Sequence, residues 1–494
     1  MKKNRLFTFL FILTVTSLSF AYSNNFPTVK CKSGNLLEVV SSLESGKTYN
    51  LKVTASINNE TIKNISSALK QDKSVKLYID LSETEGLKDF KGLSNHENLL
   101  GITFPKDTGI IKAGTFKNCM NLEYIKFHPE NKSFKMIDNA LYTSNGTKLI
   151  LVMPQAKTVK ISDGVKGDIS AQISERKFLE YLELPGTISK VKIESDLKNL
   201  KVLKIRSCDT ENKTFISYTA RKIPNLEEVY LGNTVIKIDN SFEECSKLKK
   251  VIFDDGLISI EHSFRFCPEL TEVNIGKNVK NIGYSFNNCE KLSKIDLGES
   301  LEYIRTSFNS CPLIERIVFP PALKTIGAYS YEEEGKIFDM CDFEEICFGE
   351  NLGALYSGIG KSIKDLYLPE SLKVIHLNKF YDIKIDRVHK TPETEYIFLC
   401  KYGNTYGGEN NFIIPPYSIT DINCKVTVDK DSLISKEELF ASPESFGKFF
   451  TCHTDKYYIL INKSDLRIEE ESDGEIRVYS GDDFRLDFSE GYWF

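Results

Sequence analysis

Apolar residues recur through the middle of the chain with a period of 22. Counting from each of Cys245, Cys267, Cys289 and Cys311, apolar side chains stand at +3, +6, +8, +12 and +15. The first frame carries Leu248, Val251, Phe253, Leu257 and Ile260, and the second Leu270, Val273, Ile275, Val279 and Ile282. The third gives Leu292, Ile295, Leu297, Leu301 and Ile304, and the fourth Ile314, Ile317, Phe319, Leu323 and Ile326. A preceding frame has Ile223 in the Cys place, followed by Leu226, Val229, Leu231, Val235 and Ile238. The +6/+8 pair has strand parity, so +5 and +7 face the other way. A 22-residue period predicts one strand per turn of a stacked solenoid. A single such turn cannot bury its apolar face alone, so the core exists only in the stack.

Weaker frames extend the array to Leu179–Val191 and Ile363–Ile375, and back to Leu99, Ile102, Phe104 and Phe116…Cys119. Two insertions interrupt it, at residues 131–160 and 331–336. The predicted architecture is a mainly β repeat protein, a leucine-rich-repeat solenoid over residues 83–390 with its regular turns at 223–330. An open stack needs covered ends. Residues 22–82 read as a small α/β N-terminal cap: helix 36–43, strand 49–55, helix 59–70, strand 75–81. Residues 391–494 lose the period and read as a β-rich C-terminal cap or small domain, with strands at 457–461 and 476–479.

The recurring Leu-x-x-Ile-x-Leu-Pro-x-x-Leu-x-x-Ile and Phe-x-x-Cys elements resemble the BspA-like, Treponema-type class of bacterial leucine-rich repeats. The stretch Phe134…Asp138-Asn139-Ala140-Leu141-Tyr142 matches the usual break between repeat blocks in that class. The leader around Ser67-Ala68-Leu69 and Tyr78-Ile79-Asp80-Leu81 is a further point of similarity. One departure is Ser at 241, 263, 285 and 307, where the family places Ala. The resemblance implies an exported or surface-displayed adhesin that engages host matrix proteins or other cells.

The N-terminus is compatible with that implication. Lys2, Lys3 and Arg5 precede an apolar run from Leu6 to Val15, and Ser19 and Ala21 supply the small residues of a cleavage site. This pattern predicts a secretory signal peptide over residues 1–21. The run falls short of the roughly 20 apolar residues of a membrane span, and no later segment approaches that length, so no transmembrane segment is expected in the mature chain. The expected location is secreted or cell-surface, with the periplasm as an alternative. Lys and Arg total 64 against 69 Asp and Glu in 494 residues, for a net charge of −5. Nucleic-acid binding, which needs a basic footprint, is not expected.

The Cys column (Cys119, Cys245, Cys267, Cys289, Cys311, Cys341) admits metal ligation, disulfides or packing. It runs along the stack with parallel Cβ directions, and Ile223 substitutes for it, so packing is favoured. Cys400, Cys424 and Cys452, outside the array, are better placed to form any disulfide. Gly360-Lys361-Ser362 and Gly46-Lys47-Thr48 lack the earlier phosphate-loop glycine, with Leu355 and Ser41 in its place. The six histidines (His96, His128, His262, His376, His389, His453) show no metal spacing. No cofactor, metal or catalytic residue is predicted. The remaining candidate is a surface. The +7 column, Tyr230, Ile252, Asn274, Asp296 and Val318, is predicted to line a ligand face for a protein or glycan. The +5 column, Glu228, Lys250, Glu272, Lys294 and Arg316, is expected to set register by cross-strand charge pairing. An enzyme housed in residues 391–494, or an envelope-structural role without an outside partner, are the alternatives to a binding module.

Overall fold

Two strands, not one, form in each turn. The computed structural model describes residues 26–376 except 91, 113, 194–195, 210–213, 218, 328–336, 356–358, 370 and 373, and beyond them the backbone of seven strands. The predicted signal peptide, the 331–336 insertion and Cys452 lie outside the described residues.

The chain opens with β1 (Thr28–Lys32), α1 (Leu36–Ser41), β2 (Thr48–Ser56), α2 (Asn59–Gln71) and β3 (Lys76–Asp80). The pattern of residues 36–81 placed the last four; β1, with just Val29 and Cys31 apolar, was too short to read. α2 starts where the Asn58 side chain accepts from the amides of Glu60 and Thr61, at 2.9 and 3.0 Å. It buries Ile62, Ile65 and Leu69. At its far end, Asn98 donates to the carbonyls of Leu69 and Val75 at 2.9 and 3.0 Å. The bond to Leu69 satisfies a carbonyl that the helix end leaves open. β1, β2, β3 and the strands Leu99–Phe104 and Tyr124–Phe127 form one parallel ladder. The α/β segment therefore shares a sheet with the first repeat turns.

The 131–160 insertion folds as an antiparallel three-stranded sheet of Phe134–Ile137, Ala140–Thr143 and Leu149–Val152, then re-enters the stack at Thr158–Lys160. From there, the +5 to +8 residues build parallel strands such as Glu228–Leu231 and Lys250–Phe253. The +14 to +16 residues build a second parallel sheet, through Ser259–Glu261, Asn281–Gly283 and Tyr303–Arg305. The apolar +15 residue is the inward side chain of that second strand. This sheet runs on to Val374–His376, which pairs antiparallel with Tyr458–Asn462, itself paired with Tyr396–Cys400. A separate meander joins Leu466–Glu470, Ile476–Ser480 and Phe484–Leu486.

Between the two sheets every apolar position of the four regular frames is buried except half-buried Ile295. The corner that closes each turn is built by Ser-Phe-x-x-Cys. Phe242, Phe264, Phe286, Phe308 and Phe338 stack along the axis, with ring centroids 4.9, 5.1, 5.1 and 5.0 Å apart. Each Phe has φ between 56° and 60°, a left-handed conformation that a bulky residue rarely adopts. The neighbours hold it there. The Phe264 amide donates to the Ser241 carbonyl at 3.0 Å, and the Cys267 thiol donates to the Phe242 carbonyl at 3.2 Å. The amide of Ser241 donates to Ser263 Oγ, and that of Ser263 to Ser285 Oγ, both at 3.1 Å. Serine in place of the family's alanine thus supplies an acceptor to the preceding turn. The Cys column is buried and free, and its thiols serve as donors as well as filler.

Candidate functional site

All five residues of the predicted +7 column project from one strand face. Tyr230 lies opposite Ile252, Asn274 opposite Asp296, and Val318 opposite Cys347, which is in turn opposite Tyr367. The hydrogen-bonded ladder is interrupted after Lys250–Phe253 and after Lys294–Asp296, so the face consists of three abutting sheets. Its members differ in how free they are. Asn274 Nδ2 donates to Asp296 Oδ2 at 2.9 Å, while their Oδ1 atoms accept from the amides of Gly276 and Gly298. These two side chains are committed to the loops that follow their strands. Tyr230 is half-buried and donates to Glu228 Oε2 at 2.5 Å. Burial and that bond push its hydroxyl up to about 12. Ile252 and Val318 are exposed, at 41% and 78%.

The +5 column departs from expectation. Of its adjacent opposite charges, Lys294 and Glu272 pair, at 3.7 Å, but Lys250 turns its ammonium over the Tyr230 ring, 5.4 Å from the centroid. That contact uses the same cation in a geometry favoured by the ring quadrupole. Axial charge pairing moves to other columns instead. Lys249 meets Glu227 at 3.6 Å, Lys291 meets Glu269 at 2.7 Å, and Glu302 is held by Lys280 and Lys324 at 2.9 and 2.6 Å.

Three upstream residues, Lys160, Glu183 and Lys204, share the Tyr230 column, and sequence reasoning missed them. The weaker frame Leu179–Val191 already contains Glu183, but the +7 column was read only through the frames from Ile223 onward. Glu183 is buried, and there burial alone would raise its carboxyl. The Tyr181 hydroxyl at 2.5 Å and Arg206 Nη1 at 2.9 Å outweigh that and hold it at about 2. Lys160 adds a contact at 3.3 Å, and Arg206 reaches on to the Ile161 carbonyl at 2.8 Å. This end of the column is a closed ionic network, whereas Ile252 and Val318, separated by the polar pair Asn274 and Asp296, are exposed apolar side chains.

The same face continues on the N-terminal sheet as a stack of Phe26, Tyr78 and Tyr124, with centroids 5.7 and 5.6 Å apart. Gly101 lies in register between Tyr78 and Tyr124. A Cβ there would sit 2.6 Å from Tyr124 Cζ, so the ring stack requires glycine. Among the described residues no three His, Cys, Asp or Glu side chains gather as metal ligands, and no helix is long and apolar enough to cross a membrane.

Parallel strands stacked turn on turn, with a continuous apolar core and an outward-facing strand surface, define a leucine-rich-repeat solenoid protein. Residues 88–165 and 213–337 match, in six copies, the BspA type leucine rich repeat region. Similar solved structures include a leucine-rich repeat protein from Eubacterium ventriosum, 16% identical over 57% of this chain and 81% of that one, with a TM-score of 0.30. The pneumococcal vaccine antigen PcpA is 18% identical over 57% of this chain and 66% of its own, with a TM-score of 0.26. A leucine rich cell surface protein from Faecalibacterium prausnitzii is 14% identical over 63% and 81%, with a TM-score of 0.20. No curated protein matches the chain.

Proposed function

We propose that this chain is a non-catalytic, exported protein-binding solenoid that acts at the cell surface as an adhesin, engaging a host matrix protein or another cell through its exposed strand face. The supporting observation is the contrast along one column. Glu183, Asn274 and Asp296 are tied to neighbours, whereas Ile252 and Val318 are open on strands that a packed core holds rigid. Apolar groups held out of contact are available for burial against a partner, at about 25 cal/mol per Å². Export is inferred from the leader pattern of residues 1–21.

The test is equilibrium binding of the purified chain to a panel of immobilised matrix proteins, beside a variant carrying Tyr230→Ser, Ile252→Ser and Val318→Ser. Saturable binding that weakens at least 10-fold in the variant is the expected result. Binding that survives the three substitutions would keep the activity and move it off this face. A chain that binds no member would count against the adhesin reading.

A further inference from the structure

A recess lies away from the strand face, on the corner side of the N-terminal turns. It encloses about 620 Å³ between the end of α2 (Leu69, Lys70) with Lys73, the corners at Asn95–Asn98, Asn118 and Met120, and the corner at Glu175 and Lys177. The fold explains why it exists. His96, Cys119, Met153 and Arg176 occupy equivalent places in successive turns, three residues before the apolar +3 position. The corners at Asn95, Asn118 and Glu175 rise to the surface, each with a left-handed residue at φ 63°, 59° and 62°. The corner between them, Val152–Pro154, is buried, because the antiparallel insertion delivers the chain into the stack without a Ser-Phe-x-x-Cys corner. A gap is left where a corner would stand, and α2 walls its far side.

The lining chemistry is mixed in a way that restricts the ligand. Lys70, Lys73 and Lys177 line the recess and form no ion pair with a described residue. Glu97 and Glu175 line it too, with Lys117 reaching Glu175 at 4.0 Å. Asn118 Nδ2 is spent on Asn95 Oδ1 at 2.7 Å, and Asn98 Nδ2 on the end of α2. Their carbonyl oxygens have no hydrogen-bond partner among the described residues. His96 is committed to Ser66 Oγ at 2.8 Å, and burial, then Lys70, lower its pKa, so the imidazole adds no charge. The recess therefore offers three ammonium donors, several carboxylate and amide acceptors, and the apolar atoms of Leu69 and Met120. A polyanion would meet two carboxylates, and a cation would meet three lysines. A ligand with one negative charge and several hydroxyl donors matches both halves.

We propose that this recess binds a saccharide carrying a single carboxylate, a uronic or sialic acid unit. The carboxylate lies among Lys70, Lys73 and Lys177, the hydroxyls donate to Glu97 and the free amide oxygens, and a CH face of the sugar rests on Met120. The assignment is independent of the matrix-binding face.

The experiment is ligand-observed NMR and calorimetry of the full chain with glucuronic acid and N-acetylneuraminic acid, each beside its methyl ester, at up to about 10 mM. Binding of either acid, at least 10-fold weaker for its ester, is expected. The same loss is expected for a Lys70→Met, Lys73→Met, Lys177→Met variant whose melting temperature is unchanged. Preference for N-acetylneuraminic acid would point to sialylated glycans and preference for glucuronic acid to uronic-acid polysaccharides. Equal binding of acid and ester, full binding by the lysine variant, or no binding of either acid would each overturn the proposal. Should the triple variant unfold, Lys177→Met alone is read instead, with the same two outcomes.

Discussion

At the scale of single residues, the regular Cys positions illustrate what a pattern of positions can and cannot carry. Their recurrence marked a buried column, and Ile223 in the same place argued for packing. What spacing could not show is that each regular thiol donates to a main-chain carbonyl one turn earlier, Cys289 to that of Phe264 and Cys245 to that of Ala220, which stands in the Phe place, at 3.3 and 3.1 Å. Burial pushes the Cys245 thiol up to about 12, so it stays protonated and able to donate. Cys267→Ala should cost about 2 kcal/mol, combining a small cavity with an orphaned carbonyl, as read by chemical denaturation. In the native protein, half-exposed Cys208 and Cys347 should react with a maleimide well before the buried column does. Glu183 gives a pH prediction. Its carboxyl, ordinarily near 4.5, is held at about 2, so its contribution is complete above pH 4.5 and is lost as pH falls towards 2. Glu183→Gln should remove that part of the acid sensitivity, flattening the melting temperature between pH 4.5 and pH 2.

At the scale of elements, the corners decide the register between turns. A left-handed Phe is unfavourable by roughly 1–2 kcal/mol, and ring stacking returns about 0.5–1.5 kcal/mol per pair on top of burial. Phe264→Ala should therefore destabilise by about 3–5 kcal/mol, although alanine relieves none of the left-handed strain. Ser263→Ala restores the family's residue yet removes the acceptor of the Ser241 amide, and should cost about 1–2 kcal/mol in the same assay. A further element is ionic. Glu243 is buried between Arg221 and Arg265, whose guanidinium groups both donate to it. The second strand of each turn was harder to read than the first. Its +15 residue is apolar in every frame, but a three-residue strand such as Asn281–Gly283 shows a single inward apolar side chain, too few to display alternation.

At the scale of the whole molecule, the array, the insertion at 131–160 and the two helices of the N-terminal segment were legible because the stack is quasi-one-dimensional and each turn repeats the same local problem. The recess beside α2 was not legible. It arises where the corner at 152–154 is sunk below its neighbours, and residues as distant as Lys70 and Lys177 line it together solely through the stacking. The uneven freedom along the +7 column was hidden for a related reason, since Asn274 and Asp296 are engaged by backbone amides that carry no sequence signature. Removing residues 22–82 should expose the apolar atoms that α2 covers and yield an aggregating product by light scattering, whereas Ile252→Ser with Val318→Ser should leave the scattering and the melting temperature of the full chain unchanged. The corner ladder also has a direction. The Ser241 amide, the Ser241 carbonyl and the Phe242 carbonyl are satisfied by Ser263, Phe264 and Cys267 respectively, all supplied by residues that follow. On a ribosome, or threading through a narrow channel, a newly emerged turn would hold three unmet polar groups until its successor arrives. Growth then resembles a zipper that starts at the helical end, with one unfinished tooth always in front.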